Sequence, residues 1–150
     1  MAGPKIKVKS MGVFVSDGRM LVMTCFDSVK QKAFFRLLGG HVEFGEDSRT
    51  TLRREMQEEL ATEVEVTDLL DVIQNVFTFE GRPHHEVIFV HRARFLDDSY
   101  NRREDLRNIE IDKDEPFVWV PIDEALRGPV PLYPATDYER LLAMIGARAR

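Results

Sequence analysis

The sequence predicts an α+β fold in a single domain, residues 1–150, and three observations carry that reading. Two strand-like runs meet at an Asp-Gly dipeptide near the start. An acid-rich amphipathic stretch follows a pair of glycines. Several β-branched and aromatic runs then precede a closing helix, so strands and helices come in blocks and do not strictly alternate.

Ile6 to Ser16 and Arg19 to Phe26 are apolar-rich runs joined at Asp17-Gly18, which suits a type I′ turn because both central positions need positive φ. They read as a β-hairpin. Asp27 to Lys32 is a polar loop, and Ala33 to Leu38 is a short strand leading into Gly39-Gly40, where missing side chains permit close approach of a ligand or metal. A helix follows, capped by Asp47 or Ser48 and running to about Leu60. Val64 to Val66 and Leu69 to Phe79 read as extended, Gly81-Arg82-Pro83 as a turn, and His85 to Phe95 as a strand with Val87, Phe89, His91, Ala93 and Phe95 on one face. Asp97 to Glu115 is highly charged and aperiodic, which marks either a functional lid or a mobile excursion. Phe117 to Val120 is a short strand, and Pro121 opens a helix of one or two turns. Pro129, Pro131 and Pro134 break regular structure. Thr136 and Glu139 form a capping box for a last helix whose Tyr138, Leu141, Leu142 and Ile145 face the core.

A length of 150 residues with 43% hydrophobic and 31% charged residues is an ordinary globular balance. No apolar run approaches the roughly 20 residues that span a bilayer, and the N-terminus has no secretory apolar region. The single cysteine, Cys25, cannot form an internal disulfide; it suits a reducing, cytoplasmic setting, and its apolar run assigns it to packing. A net charge of −5 argues against a large nucleic-acid surface, which needs an excess of cations. It still admits a polyanionic small molecule if metal ions bridge the two.

On the predicted helix Leu52, Met56 and Leu60 form an apolar stripe at four-residue spacing. Glu55 and Glu59 stand one turn apart on a neighbouring face with Glu58 beside them, and Glu43 and Glu46 add two acids at the helix entrance. Like charges at i and i+4 cost roughly 0.2–0.5 kcal/mol per pair, so a cation should offset them. Oxygen donors suit a hard divalent ion, Mg²⁺ or Mn²⁺. For a single Glu-Glu pair the alternative is a solvated acidic face.

Gly40, Glu46, Arg54, Glu55, Met56, Glu58 and Glu59 fall in the register of the Nudix box, and the stretch resembles that of the Nudix hydrolases. Ala61 stands where the family has glycine, Thr62 where it has an aliphatic, and Leu38 where many members have proline. An alanine in the left-handed conformation of that glycine costs about 1 kcal/mol, so the helix is expected to end differently, running on a residue or two. The later Trp119-Val-Pro-Ile-Asp-Glu-Ala-Leu run is also similar to the family.

The resemblance implies a Nudix-like α/β/α sandwich, with a mixed β-sheet between helices and a loop–helix–loop motif beside it. It implies hydrolysis, by water attack on phosphorus, of a nucleoside diphosphate linked to another moiety: a nucleoside triphosphate, a dinucleoside polyphosphate or a nucleotide sugar. The implied cofactor is Mg²⁺ or Mn²⁺. Glu55 and Glu59 would be direct ligands, Glu58 a third ligand or the base that accepts the water's proton, and the Gly40 main-chain carbonyl a further ligand. Glu115, beside Asp114 before the Trp119 strand, is a candidate acid from a loop. Arg54 is expected to point away from the cluster and to hold Glu46 or another acid. Arg36, Arg82, His84 and His85 are candidate phosphate contacts, and Phe77 and Phe79 candidate stacking partners for a base; each also fits a purely structural place. Glu86 is either a ligand or a strand-edge charge. Many proteins with this resemblance pair, which makes a homodimer the expected assembly. A nucleotide-sensing module without turnover is the alternative function, and the retained acids speak against it.

Overall fold

The computed structural model of the protein describes residues 3–110 and 115–147. The first apolar run is divided between two sheets. Strand β1 (Lys7–Val13) stops before Phe14, and β2 (Val15–Ser16) pairs antiparallel with β3 (Arg19–Asp27). Asp17 and Gly18 between them have φ of 52° and 72°, as the predicted turn requires. The strand expected over Ala33–Leu38 is likewise two: β4 (Lys32–Arg36) pairs with β3, and β5 (Leu38–His41) with β1. Phe14 and Leu37, at the two crossings, are both buried. That is why the apolar runs continue where the strands break.

Helix α1 (Ser48–Leu60) matches the predicted span, with the Asp47 side chain accepting from the Thr50 N–H at 2.8 Å. Its stripe of Leu52, Met56 and Leu60 is buried and packs with Phe14, Leu38 and Phe95. Each such side chain contributes about 1.5–3 kcal/mol of burial. The helix end departs from expectation. Ala61 itself takes the left-handed conformation, φ 52° and ψ 40°, and its N–H donates to the Gln57 carbonyl. Ala61→Gly is therefore expected to stabilise the protein by about 0.5–1 kcal/mol, relief of the left-handed strain outweighing the added freedom of the unfolded chain. Urea unfolding checks this, and an unchanged or lowered midpoint would count against it.

Strands β6 (Val64–Phe79) and β7 (Arg82–Phe95) form a long hairpin whose turn is Glu80-Gly81, at φ of 52° and 75°. The turn thus lies one residue before the expected one, and Pro83 sits inside β7, outside the stretch that pairs with β1. On β7 the buried residues change face, from Ile88 and Val90 to His91, Ala93 and Phe95. The strand passes from one core to another, so the single packed face expected holds only for its second half.

The charged segment after β7 is anchored over residues 97–110, which corrects the mobile-excursion reading there. The Tyr100 hydroxyl donates to the Leu60 carbonyl at 3.0 Å, and the Trp119 indole donates to the Tyr100 carbonyl at 2.9 Å. Leu106 is buried, and the Asn108 N–H donates to the Glu115 carbonyl at 3.2 Å. Residues 111–114, and with them the candidate Asp114, lie outside the described residues.

Strand β8 (Phe117–Pro121) pairs with β3 and runs into α2 (Ile122–Arg127). Among the prolines lies a short strand the sequence did not signal, β9 (Leu132–Tyr133), parallel to β4. Helix α3 (Tyr138–Met144) is capped by Asp137, which accepts from the Arg140 N–H at 3.1 Å, while the Thr136 hydroxyl donates to Asp71. The expected Thr136–Glu139 capping box is therefore not what opens the helix.

One sheet is mixed, in the order β5-β1-β7-β6 with β1 and β7 parallel; the other runs β2-β3-β4-β9, with β8 also on β3. Helix α1 closes the core of Phe14, Leu38, Met56 and Phe95, and α2 and α3 close that of Met11, Val22, Ile88 and Leu141. This is the α/β/α arrangement expected. No helix among the described residues is long and apolar enough to cross a membrane.

Candidate active site

The site begins where β5 meets α1. Antiparallel pairing of β5 with β1 sets Gly40 opposite Ser10, and a Cβ on Gly40 would overlap all three atoms of the Glu55 carboxyl. Only glycine leaves room for that carboxyl against the backbone. Glu59, one turn on, shares its burial: both acids are 9% exposed, low for carboxylates.

Electrostatics follow from that burial. Burial pushes the Glu59 carboxyl up to about 8; Arg36 opposes the rise, while Glu55, Glu110 and Glu115 add to it. Glu55 is raised by burial too, against the pull of Arg54. Glu110 is raised foremost by its hydrogen bond with Glu58, then by burial. One ligand atom each from Glu55, Glu58 and Glu110 lie within 4.8 Å of one another.

Arg54 organises this cluster and does not point away from it, contrary to expectation. Its Nε and Nη2 donate to the two Glu46 oxygens at 2.7 and 2.9 Å, and Nη1 donates to Glu55 at 3.0 Å and Glu58 at 3.1 Å. Nη2 also donates to the His41 carbonyl at 3.0 Å, tying the glycine loop to the helix. The hydrogen bonds from Arg54 hold Glu46 down at about 2. Glu43, exposed, stands 3.8 Å from the same guanidinium.

A cleft of about 1020 Å³ opens between the two sheets; Glu55, Glu58, Glu59 and Glu110 are not among its lining residues, and Arg36, which is, lies within electrostatic reach of Glu59. Arg36, His41 and Glu115 line it, and Arg36 donates to the Gly39 carbonyl at 3.2 Å. Phe77 and Phe79 line it as well, in a chain of ring contacts that runs Tyr133–Phe34–Phe79–His84–Phe77. Of the paired histidines, His84 faces the cleft; His85 is on the opposite face of β7, and Arg82 is exposed at the hairpin tip, so neither lines it. Cys25 packs against the core and borders the cleft, its thiol pushed up to about 11 by burial.

One acid escapes the sequence, and the sequence leaves a second open between two readings. Glu110 reaches the acids because the Ile109 N–H donates to the Glu59 carbonyl at 2.9 Å, a contact made by a loop without periodicity. Glu86 is no strand-edge charge: it is 4% exposed on the cleft floor, paired with Lys9. Its signal was a charge set directly after the paired histidines and before the apolar run of Val87 to Val90.

The NUDIX domain profile matches residues 7–141. A MutT NUDIX hydrolase from Burkholderia pseudomallei is 27% identical over 91% of this chain and 96% of that one, with a TM-score of 0.65. The E. coli ORF135 protein is 27% identical over 95% and 91%, at 0.60. A NUDIX hydrolase from Nitrosomonas europaea, 17% identical over 97% and 93%, shares the fold at 0.67. The chain belongs to the NUDIX family. It is accordingly an enzyme, a NUDIX hydrolase, and the α/β/α sandwich described above is that family's fold.

Proposed function

We propose that the protein hydrolyses a phosphoanhydride bond in a nucleoside diphosphate linked to another moiety, using Mg²⁺ or Mn²⁺. The observation that carries this is the acid cluster of α1, two of its carboxyls nearly buried, with Arg36 both in electrostatic reach of Glu59 and lining a cleft of cations and aromatic rings. The donors fit a hard divalent ion: all are oxygens, and buried Glu59 and Glu55 are costly to ionise without a cation. Glu55 and Glu59 would hold it, with Glu58, Glu110, Glu115 and the Gly40 carbonyl as the remaining donors within the same region. When bound, such an ion neutralises phosphoryl oxygens and lowers the pKa of a coordinated water.

The chain's own groups supply the rest. Glu58, grouped with Glu55 and Glu110, would accept a proton from the attacking water. Arg54 fixes Glu55 and Glu58 in position, and Arg36 offers positive charge to the phosphates. Phe77 and its neighbouring rings offer a stacking surface for a base, and the cleft has room for a nucleotide with its appended group. His85 and Arg82 are left to contact only a part of the substrate that extends beyond the cleft.

A panel of nucleoside triphosphates, dinucleoside polyphosphates and nucleotide sugars, incubated with Mg²⁺ and resolved by chromatography, tests the reading. It predicts metal-dependent cleavage at a phosphoanhydride of at least one class; binding without turnover across the panel would favour a nucleotide sensor. Within that assay Gly40→Ala is expected to lose on the order of a hundredfold in rate, since displacing a reacting geometry by about 1 Å costs that much. A wild-type rate from this variant would remove Glu55 from the site.

A further inference from the structure

We infer that Lys9, held in place by Glu86 on the cleft floor, is a substrate-positioning residue that grips the phosphate chain on the side away from the acid cluster. The inference rests on the proposed function and extends it to residues that the Nudix box does not contain.

Register builds the pair. In the parallel pairing of β1 with β7, Lys7 stands opposite Glu86, which puts Lys9, two residues on, on the same face of the sheet. Lys9 is also opposite His41, next to the glycine loop. The Lys9 ammonium meets the Glu86 carboxylate at 2.7 Å, with side chains only 15% and 5% exposed, and both residues line the cleft.

Stability does not account for this arrangement. Removing two charges from water costs several kcal/mol per ion, and well-packed apolar residues usually serve a fold as well or better. The local surroundings make the cost larger. Burial and the nearby Arg36 both act against the charged form of Lys9, and Arg36 itself has a buried Nε with no hydrogen-bond partner. Lys7, Lys9 and Arg36 therefore line the cleft around the Glu86 carboxylate, a local excess of positive charge that suits a polyanion. Arg36 lies within electrostatic reach of Glu59 on one side and Lys9 on the other, so the cationic floor continues from the acids into the cleft. A phosphate chain laid along it would have its reacting end at the acids and its far phosphate at Lys9. Glu86 keeps the lysine from folding onto other acceptors.

Calorimetric titration of the full-length protein with Mg²⁺ alone, and with inorganic pyrophosphate in excess Mg²⁺, tests this. The wild type is expected to bind pyrophosphate, Lys9→Met to bind it about tenfold or more weakly, and Lys9→Arg to recover most of the loss. Mg²⁺ alone should bind all three alike. Because Lys9→Met strands a buried Glu86, the double variant Lys9→Met with Glu86→Gln is the companion: it should unfold no earlier than the wild type on heating and still bind pyrophosphate weakly. Wild-type pyrophosphate affinity in either folded variant, or no pyrophosphate binding by the wild type, would overturn the inference. Failure of the proposed function would show differently, as absent Mg²⁺ binding by the wild type.

Discussion

Glu59→Gln is expected to lose at least about a hundredfold in turnover while its metal-free form is as stable as the wild type, or more so, at pH 8. The first half follows from its place among the proposed donors. Groups that merely support metal ligands cost roughly 10–100-fold when mutated, and a ligand itself should cost no less. The second half follows from burial. The folded protein holds the Glu59 proton up to about pH 8, whereas an unfolded glutamic acid releases it near 4.5. Between those values the metal-free folded state binds more protons than the unfolded state, so stability from this group is full below about 4.5 and is lost as pH rises through about 8. Glutamine has no proton to lose, so thermal unfolding of the variant should be flatter across that window. A variant that keeps its rate, or one that unfolds much earlier than the wild type without metal, would mean that Glu59 serves the fold and not the ion.

Arg54→Met is expected to cut turnover by roughly 10–100-fold and to release Glu46 from its low value toward the ordinary carboxylate range. One guanidinium bridges Glu46, Glu55, Glu58 and the His41 carbonyl, so its loss frees both acids and the glycine loop together. Arg54→Lys should recover little, because a lysine ammonium cannot reproduce the two-pronged contact with Glu46. Carboxyl-detected NMR titration of Glu46 together with steady-state rates checks both halves. An arginine that only decorated the surface would leave the rate untouched.

What the sequence disclosed and what it hid divide along the range of the interactions. The acids of α1 were legible because helix periodicity alone puts Glu55 and Glu59 one turn apart, and Asp47 is a cap by its own chemistry. The Asp17-Gly18 turn was legible for the same local reason. Partners set by long-range pairing were not. Lys9 and Glu86 are 77 positions apart and meet only because β1 and β7 run parallel, and no local pattern encodes that register. Glu110 comes from an aperiodic loop through one backbone hydrogen bond to Glu59. The switch of sheets at Phe14 and Leu37 was hidden because a buried crossing point is as apolar as the strands it joins. Ala61 shows the opposite case: its identity argued against a left-handed residue, and the closure of the helix prevailed over that local preference of about 1 kcal/mol.

The central claim is that the acids of α1 bind a divalent cation. Titrating Mn²⁺ into the metal-free protein while following the EPR signal of the free ion measures this without any substrate. The wild type should take up Mn²⁺, with Glu59→Gln, still folded, losing most of that uptake. Equal uptake by the two proteins, or none by the wild type, would contradict the account.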